Sequence, residues 1–359
     1  MTHARNSEIS ALVKRCAFDA GFDLAGIAPA TDSPELQSFP EWIAAGHAGE
    51  MKYLESRNEE GELRRASLSR VAPWARSVIV CAINYNTDHP YSTQVNDPSS
   101  GWISRYAWSH EDYHEAVLRR LKQVEAALYA AISDSGPQLM TRSYVDTGPI
   151  VERVFAKYAG VGWMGKNTCI INQKIGSWLF LGVILTSLEL TPDLPAPDRC
   201  GTCTRCIEAC PTDAILEPYK LDSNRCISYL TIEKRGSIPE DLRAGMGRHV
   251  FGCDICQDVC PWNRKAPATT APEFLPREGL VNPALDWLAE LSAEEFGEKS
   301  RGSPICRAKQ SGLRRNALVA IGNSGNREFL PLTEGLTGDK DKSVAEAARW
   351  ASTRLNESR

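Results

Sequence analysis

The feature that most constrains this chain is a run of cysteines, Cys200-x2-Cys203-x2-Cys206-x3-Cys210-Pro211. This is the spacing of bacterial two-cluster ferredoxins. Gaps of two residues let three thiolates converge on one cubane while backbone N–H groups point at its sulfurs; the fourth cysteine opens a short helix that carries it to the other cluster. A second run, Cys253-x2-Cys256-x3-Cys260-Pro261, lacks one cysteine, and Cys226, upstream in NRCISYL, replaces it. Crossing the fourth ligands assigns Cys200, Cys203, Cys206 and Cys260 to one 4Fe–4S cluster and Cys210, Cys226, Cys253 and Cys256 to the other. Zinc ribbons instead use two separated C-x2-C pairs. Cys16, Cys81, Cys169 and Cys306 remain, and the first three lie in apolar stretches that read as core.

Twelve cysteines bunched in a chain of 359 residues favour metal ligation in a reducing cytoplasm over a disulfide scaffold. The opening MTHARNSEIS has neither the apolar stretch of a signal peptide nor a twin-arginine pair. The most apolar segment, Ser177 to Leu190, is too short to span a bilayer and reads as a buried strand. A formal net charge of -4 offers no global basic field for nucleic acid.

The expected organisation is α+β and multidomain. Residues 1–190 read as a mixed α/β domain. Its elements are a helix over Ile9 to Ala20, a strand over Ser77 to Tyr85, a long polar loop over Thr87 to Gly101, a helix over Tyr113 to Ser133, a strand over Arg142 to Val145 and a helix over Pro149 to Tyr158. The Pro-rich Thr191 to Asp198 marks a boundary, and residues 191–265 hold the cysteine clusters as a ferredoxin-like domain. Residues 266–359 contain no strand pattern. They read as helices, one starting at Asn282 and Pro283, with capping boxes at Ser292/Glu295 and Ser343/Glu346. The stripes Leu313 to Ile321 and Val344 to Leu355 are spaced like HEAT-type helical-hairpin repeats.

Two motifs are decoys. Gly160-x-Gly162-x-x-Gly165 matches a dinucleotide fingerprint, and Gly160-x4-Gly165-Lys166 nearly matches a P-loop, but both need a strand before and a helix after, and this sequence has the reverse. The glycines imply a tight turn. No D-x-H-x-x-G is present to supply a corrinoid's histidine ligand, and His110 and His114, i and i+4 at the start of the long helix, read as a solvated helix start.

Asp146, in SYVDTGPIVER between a strand and a helix, reads from local physics as an N-cap with Pro149 in the first turn. Yet SYVDTGPIVER, GWMGKNTCIIN, the run ending CPTDAI, RCISYLTIEKRG, FGCDICQDVCPWN and RAKQSGLRRNALVAIGN together resemble the epoxyqueuosine reductases over nearly the whole chain. The resemblance implies a nitroreductase-like domain binding base-off cobalamin, two 4Fe–4S clusters feeding electrons to the cobalt, and cob(I)alamin reducing epoxyqueuosine to queuosine at the tRNA wobble base. Asp146 matches the family's proton donor, a role that calls for a raised pKa, most simply through burial. Arg65, Ser104, Asp146, Ile170, Leu181, Ser228 and Asp254 match corrinoid-lining positions. Arg153, two helical turns after Asp146, reads either as a substrate contact or as an ion pair with Glu152. Lys234 and Arg235 match a tRNA-contacting stretch, and Arg307, Lys309, Arg314 and Arg315 group into a phosphate-binding face. The wobble nucleotide must be splayed out to be reached.

Two rival readings are a corrinoid reductive dehalogenase and a ferredoxin-type electron carrier. The first usually carries a twin-arginine signal and has no use for basic helices; the second needs no 190-residue N-terminal domain. No flavin or nicotinamide motif is present, so electrons are expected from a separate donor protein. A monomer with no membrane attachment fits a tRNA reader.

Overall fold

In a computed structural model of the chain, residues 3–132 and 139–357 are described. The backbone gathers into two units, each built from three segments. The first holds Met1–Asn86, Tyr113–Cys203 and Pro261–Ala271; the second holds Thr87–Asp112, Thr204–Cys260 and Pro272–Arg359. The expected cuts at 190 and 265 therefore do not follow the packing. Side chains recruit distant segments: Asn263 accepts from the backbone N–H of Ser177 at 2.7 Å, and Asn84 donates to the carbonyl of Pro267 at 2.8 Å. Composition along a chain cannot reveal such returns.

The first unit is organised by a four-stranded antiparallel sheet. Its strands are β1 (Leu24–Pro29), β2 (Ser77–Asn84), β3 (Thr141–Tyr144) and β4 (Leu179–Thr186), in the spatial order β1-β2-β4-β3. Helix α1 (His3–Asp19) packs on β1, and Gly21, at φ 83°, follows its end as expected. Every residue of β2 is buried, as a β-branched run covered on both faces requires. Along β4, Gly182 faces α2 (Tyr113–Ile132), where a Cβ would meet Val117 at 2.8 Å. Its neighbours Leu181 and Val183 pack with Val154 and Phe155 of α3 (Glu152–Tyr158). The period of two thus places one helix on each face of the sheet. The expected last residue of α2, Ser133, lies outside the described residues.

Helix α3 starts three residues later than expected because Asp146 turns the chain at φ 57° and the backbone becomes helical only from Glu152. The glycine-rich turn at 160–165 enters an antiparallel pair, Trp163–Met164 with Ile170–Ile171. A Cβ at Gly162 would lie 2.5 Å from the carbonyl oxygen of Ile171, so this glycine serves close backbone approach.

In the second unit, Trp102–Ile103 pairs in parallel with His249–Phe251. Two short helices, α4 (Arg205–Glu208) and α6 (Ile255–Asp258), pack on each other, with α5 (Ile227–Ile232) between them in sequence. Helix α8 (Lys309–Ser324) packs on α7 (Leu285–Glu290) and on α9 (Lys342–Glu357). The expected helix at Asn282 begins at Leu285, since Asn282 itself sits at φ 52°. The Ser292/Glu295 capping box forms. That at Ser343/Glu346 does not. Asp341 accepts from the N–H groups of Ser343 (2.8 Å) and Val344 (3.3 Å), and Glu346 turns instead to Arg243 and Ser237. Among the described residues no helix is long and apolar enough to cross a membrane.

Candidate functional site

In the first unit the chemistry gathers where β3 ends. Asp146 adopts the left-handed region, φ 57°, a conformation that costs a non-glycine residue roughly 1–3 kcal/mol and concentrates at functional sites. Its side chain is 67% exposed, yet enough protein surrounds it for desolvation to matter. Tyr113 Oη donates to Asp146 Oδ2 at 3.1 Å, and His114 Nε2 lies 3.5 Å from the same oxygen. Both residues open α2. Their rings stack at 4.0 Å, and Tyr113 lies flat on Phe180 of β4 at 4.4 Å. Desolvation pushes the Asp146 carboxyl up, but the hydrogen bonds from His114 and Tyr113 and the charges of His114 and Arg153 outweigh it and hold it below the usual value. This corrects the expectation of a raised pKa. It also corrects that of a merely solvated His114, since α2 docks its first turn against the Asp146 loop.

Arg65 anchors that loop. It is 8% exposed, and Nη2 donates to the carbonyl of Gly148 at 2.6 Å while Nη1 donates to that of Tyr53 at 3.2 Å. Gly148 accepts no larger residue: a Cβ would lie 2.6 Å from the Tyr144 ring. Arg153 is exposed and donates to Thr168, 2.8 Å to the carbonyl and 3.3 Å to Oγ1; Thr168 also has positive φ, 65°. Glu152 differs from all of these. Its Oε1 is shut off from solvent and accepts no hydrogen bond. Burial first, and then the charge of Asp146, push its carboxyl up to about 7, against its own backbone N–H and the charges of Arg153 and Arg65. Ile170 is buried and Leu181 partly so, in the apolar cluster that includes Val154 and Phe155. A cavity of about 130 Å³ lined by Pro29, Asp32, Ser33, Val154 and Tyr158 shares none of the polar groups around Asp146.

In the second unit, Ser104 Oγ donates to Asp254 Oδ1, and the backbone N–H of Arg105 donates to Asp254 Oδ2 at 2.6 Å, so two of the expected corrinoid positions form one buried pair. The third, Ser228, opens α5 beside Cys226 and is partly buried.

The cysteines present a thiolate donor set. In the first unit Cys200 and Cys203 close a turn, the Cys203 N–H donating to the Cys200 carbonyl at 3.1 Å, and Lys166 Nζ braces it by donating to the carbonyls of Gly201 (2.7 Å) and Cys203 (3.0 Å). In the second unit Cys206 and Cys256 ride on the paired helices α4 and α6, and Cys210 and Cys260 follow them. Sulfurs receive backbone donors: Ala214 N–H to Cys210 Sγ at 3.3 Å, Ser228 and Tyr229 to Cys226, and Ile255 to Cys253. The charges of Cys210 and Cys226 are both felt at Cys253, so three of the four expected ligands of one cluster lie together. Among the described residues no three His, Cys, Asp or Glu side chains are close enough to hold a single metal ion; a cubane asks for that wider spacing, because each thiolate takes a different iron. Cys81 is fully buried, its thiol pushed up to about 12 by burial, which fits a core role.

The expected phosphate-binding face is partly taken up by structure. Arg315 is 2% exposed and donates to the carbonyls of Leu230 (2.9 Å), Lys234 (3.0 Å) and Gly236 (2.5 Å) and to Asn316 Oδ1. It cannot reach a phosphate, because its helical position turns inward. Arg314 donates to the Ala289 carbonyl (2.8 Å) and to Asp339 (2.7 Å). Arg307 makes a forked pair with Glu233, at 2.9 and 3.1 Å, while Arg235 donates to the carbonyl of Arg307 at 2.9 Å. Arg235, Arg307 and Lys309 remain exposed, and Lys234 partly so.

Comparison with known proteins decides the family. Residues 65–147 match the family described as Epoxyqueuosine reductase QueG, DUF1730, and residues 199–263 match a 4Fe-4S double cluster binding domain. An epoxyqueuosine reductase of Synechocystis is 44% identical over 297 residues, covering 81% of this chain and 98% of that protein. The chain belongs to the epoxyqueuosine reductase family. The Escherichia coli epoxyqueuosine reductase is 38% identical over 322 residues, 89% of this chain and 82% of its own. An epoxyqueuosine reductase solved with an epoxyqueuosine-modified tRNA-Tyr stem loop superposes with a TM-score of 0.85 at 29% identity, covering 97% of this chain and 90% of that one. The Streptococcus thermophilus enzyme gives 0.86 at 26% identity, over 98% and 91%. The double-cluster match means that the chain carries two 4Fe–4S clusters. Sequence reading missed Tyr113, His114 and Glu152. The available signal was a polar DYH at a helix start and an acid beside Arg153, both of which the helical periodicity masked as surface.

Proposed function

We infer that this chain is an oxidoreductase that reduces epoxyqueuosine in tRNA to queuosine, on the strength of its family and of one observation, the strained Asp146 carboxyl held open to solvent beside Tyr113, His114 and Arg153. Asp146 acts as the proton donor to the epoxide oxygen; a bound substrate that displaces the donors now on Asp146 raises its pKa toward what the task needs. Arg153, exposed and donating to the Thr168 carbonyl, supports a substrate contact in this reading.

The cofactor we propose beyond the clusters is base-off cobalamin. Its large, mostly apolar macrocycle with amide arms suits the residues present in the first unit: Ile170, Leu181 and the Tyr113–Phe180 stack, with Arg65 fixing the Asp146 loop. When bound, it supplies a strongly reducing cobalt to which cluster electrons can pass. The first unit then takes the role of a nitroreductase-like corrinoid domain, and the helices from α7 onward that of a HEAT-like tRNA reader using Arg307 and Lys309, joined by Lys234 and Arg235 from the segment after α5. A separate protein delivers the electrons, in the cytoplasm, to a monomer.

The test is anaerobic purification with cobalamin, iron and cobalt quantitation, and an assay on tRNA carrying epoxyqueuosine. About eight irons and one cobalt per chain with queuosine formed supports the reading. Cobalt without queuosine points to another corrinoid reductase, and iron without cobalt removes the corrinoid.

A further inference from the structure

Reducing an epoxide to an alkene breaks both C–O bonds, forms one C=C bond and expels the oxygen as water. The change consumes two electrons, which the clusters can pass singly, and two protons. Asp146 carries one carboxyl proton per turnover, so a second proton must reach the same place. We propose that Glu152 is the positioning residue that supplies it: its carboxyl stores a proton next to Asp146 and passes it on once Asp146 has given up its own.

The geometry singles out Glu152. It lies six residues after Asp146 at the start of α3, beyond the turn that Arg65 pins through Gly148. Its Oε1 is buried with no donor, which is costly for a carboxylate and far less so for a neutral carboxylic acid. The charged groups facing it are Asp146, Arg153 and Arg65. Burial and Asp146 together push it up to about 7, while Asp146 is held below its usual value. Two carboxyls pushed apart in this way load separately: Glu152 keeps its proton up to about pH 7, and Asp146 takes one from solvent when bound substrate displaces its donors, so both protons are in place before the first C–O bond breaks. During turnover the proton on Glu152 moves to the Asp146 carboxylate, the renewed acid protonates the departing oxygen at the second C–O cleavage, and Glu152 takes a fresh proton from solvent. The proposal rests on the epoxide-reduction reading above.

The sign of the pH dependence follows. Glu152 must be protonated, so turnover falls as pH rises through about 7. Its folded-state pKa lies above the unfolded one, so the stability it contributes is present at low pH and is lost as pH rises through the same value.

The experiment compares wild type with Glu152→Gln and Glu152→Asp, each loaded with iron and cobalamin, by turnover on modified tRNA from pH 5.5 to 8.5 and by thermal unfolding at both ends of that range. Glu152→Gln should lose at least about tenfold in turnover at neutral pH and lose the limb near pH 7. Its melting temperature relative to wild type should rise between pH 5.5 and 8.5. Glu152→Asp should recover part of the rate together with a titrating limb. Unchanged turnover and pH profile in Glu152→Gln overturn the proposal, as does a wild-type profile without a limb near 7, a reading that needs no variant. A wild type that makes no queuosine instead fails the functional reading itself.

Discussion

In the first unit, Asp146 sits in a left-handed conformation with most of its carboxylate exposed, and Glu152 keeps a buried oxygen with no donor. In the second, Arg315 is almost wholly buried and commits its guanidinium to three backbone carbonyls and Asn316, while Arg314 pairs with Asp339. Both regions carry charges that the sequence marks as functional. The difference is satisfaction. A buried cation with every donor used serves the fold, here clamping the 230–236 segment onto α8. A carboxyl left strained or unsatisfied costs stability and is kept where chemistry needs it.

Three experiments can break or sharpen that contrast. The largest effect is expected from Asp146→Asn, which keeps a residue that tolerates the left-handed turn but removes the acid. Turnover should drop by about a hundredfold or more, with clusters and unfolding midpoint retained; full turnover would remove Asp146 from the mechanism. Next is Arg315→Ala. Stranding the carbonyls of Leu230, Lys234 and Gly236 should destabilise the protein by about 3 kcal/mol, read as a lower midpoint of chemical unfolding. An unmoved midpoint with weakened tRNA binding would make Arg315 a phosphate reader and dissolve the contrast. The smallest effect is expected from reversing exposed charges, Arg235→Glu with Lys309→Glu. Stem-loop binding should weaken by about tenfold at moderate salt, its salt slope shrinking by about one for each phosphate that is no longer neutralised. Binding unchanged at every salt concentration would place the tRNA surface elsewhere.

How much of this was legible beforehand varies by element. The strand at Ser77, the buried run at Leu179 and the helix at Tyr113 were readable because their patterns are periodic and local. The Ser292 cap was readable for the same reason. The cap at Ser343 was not: Asp341 competed for the same N–H groups, and Glu346 was drawn to Arg243, about a hundred residues away in sequence. His114 was misjudged because a polar helix start looks solvated until a loop packs over it.

The sequence by itself located the cysteine runs of a double-cluster domain, since their spacing is local to the chain, and it marked Asp146 by family resemblance. Only the tertiary structure decided which segments join which unit, that Arg315 turns inward, and that Tyr113, His114 and Glu152 share the neighbourhood of Asp146. Spacing is a property of neighbours in the chain. Burial and electrostatic partnership depend on residues far apart in the chain, and a carboxyl's affinity for its proton depends on both.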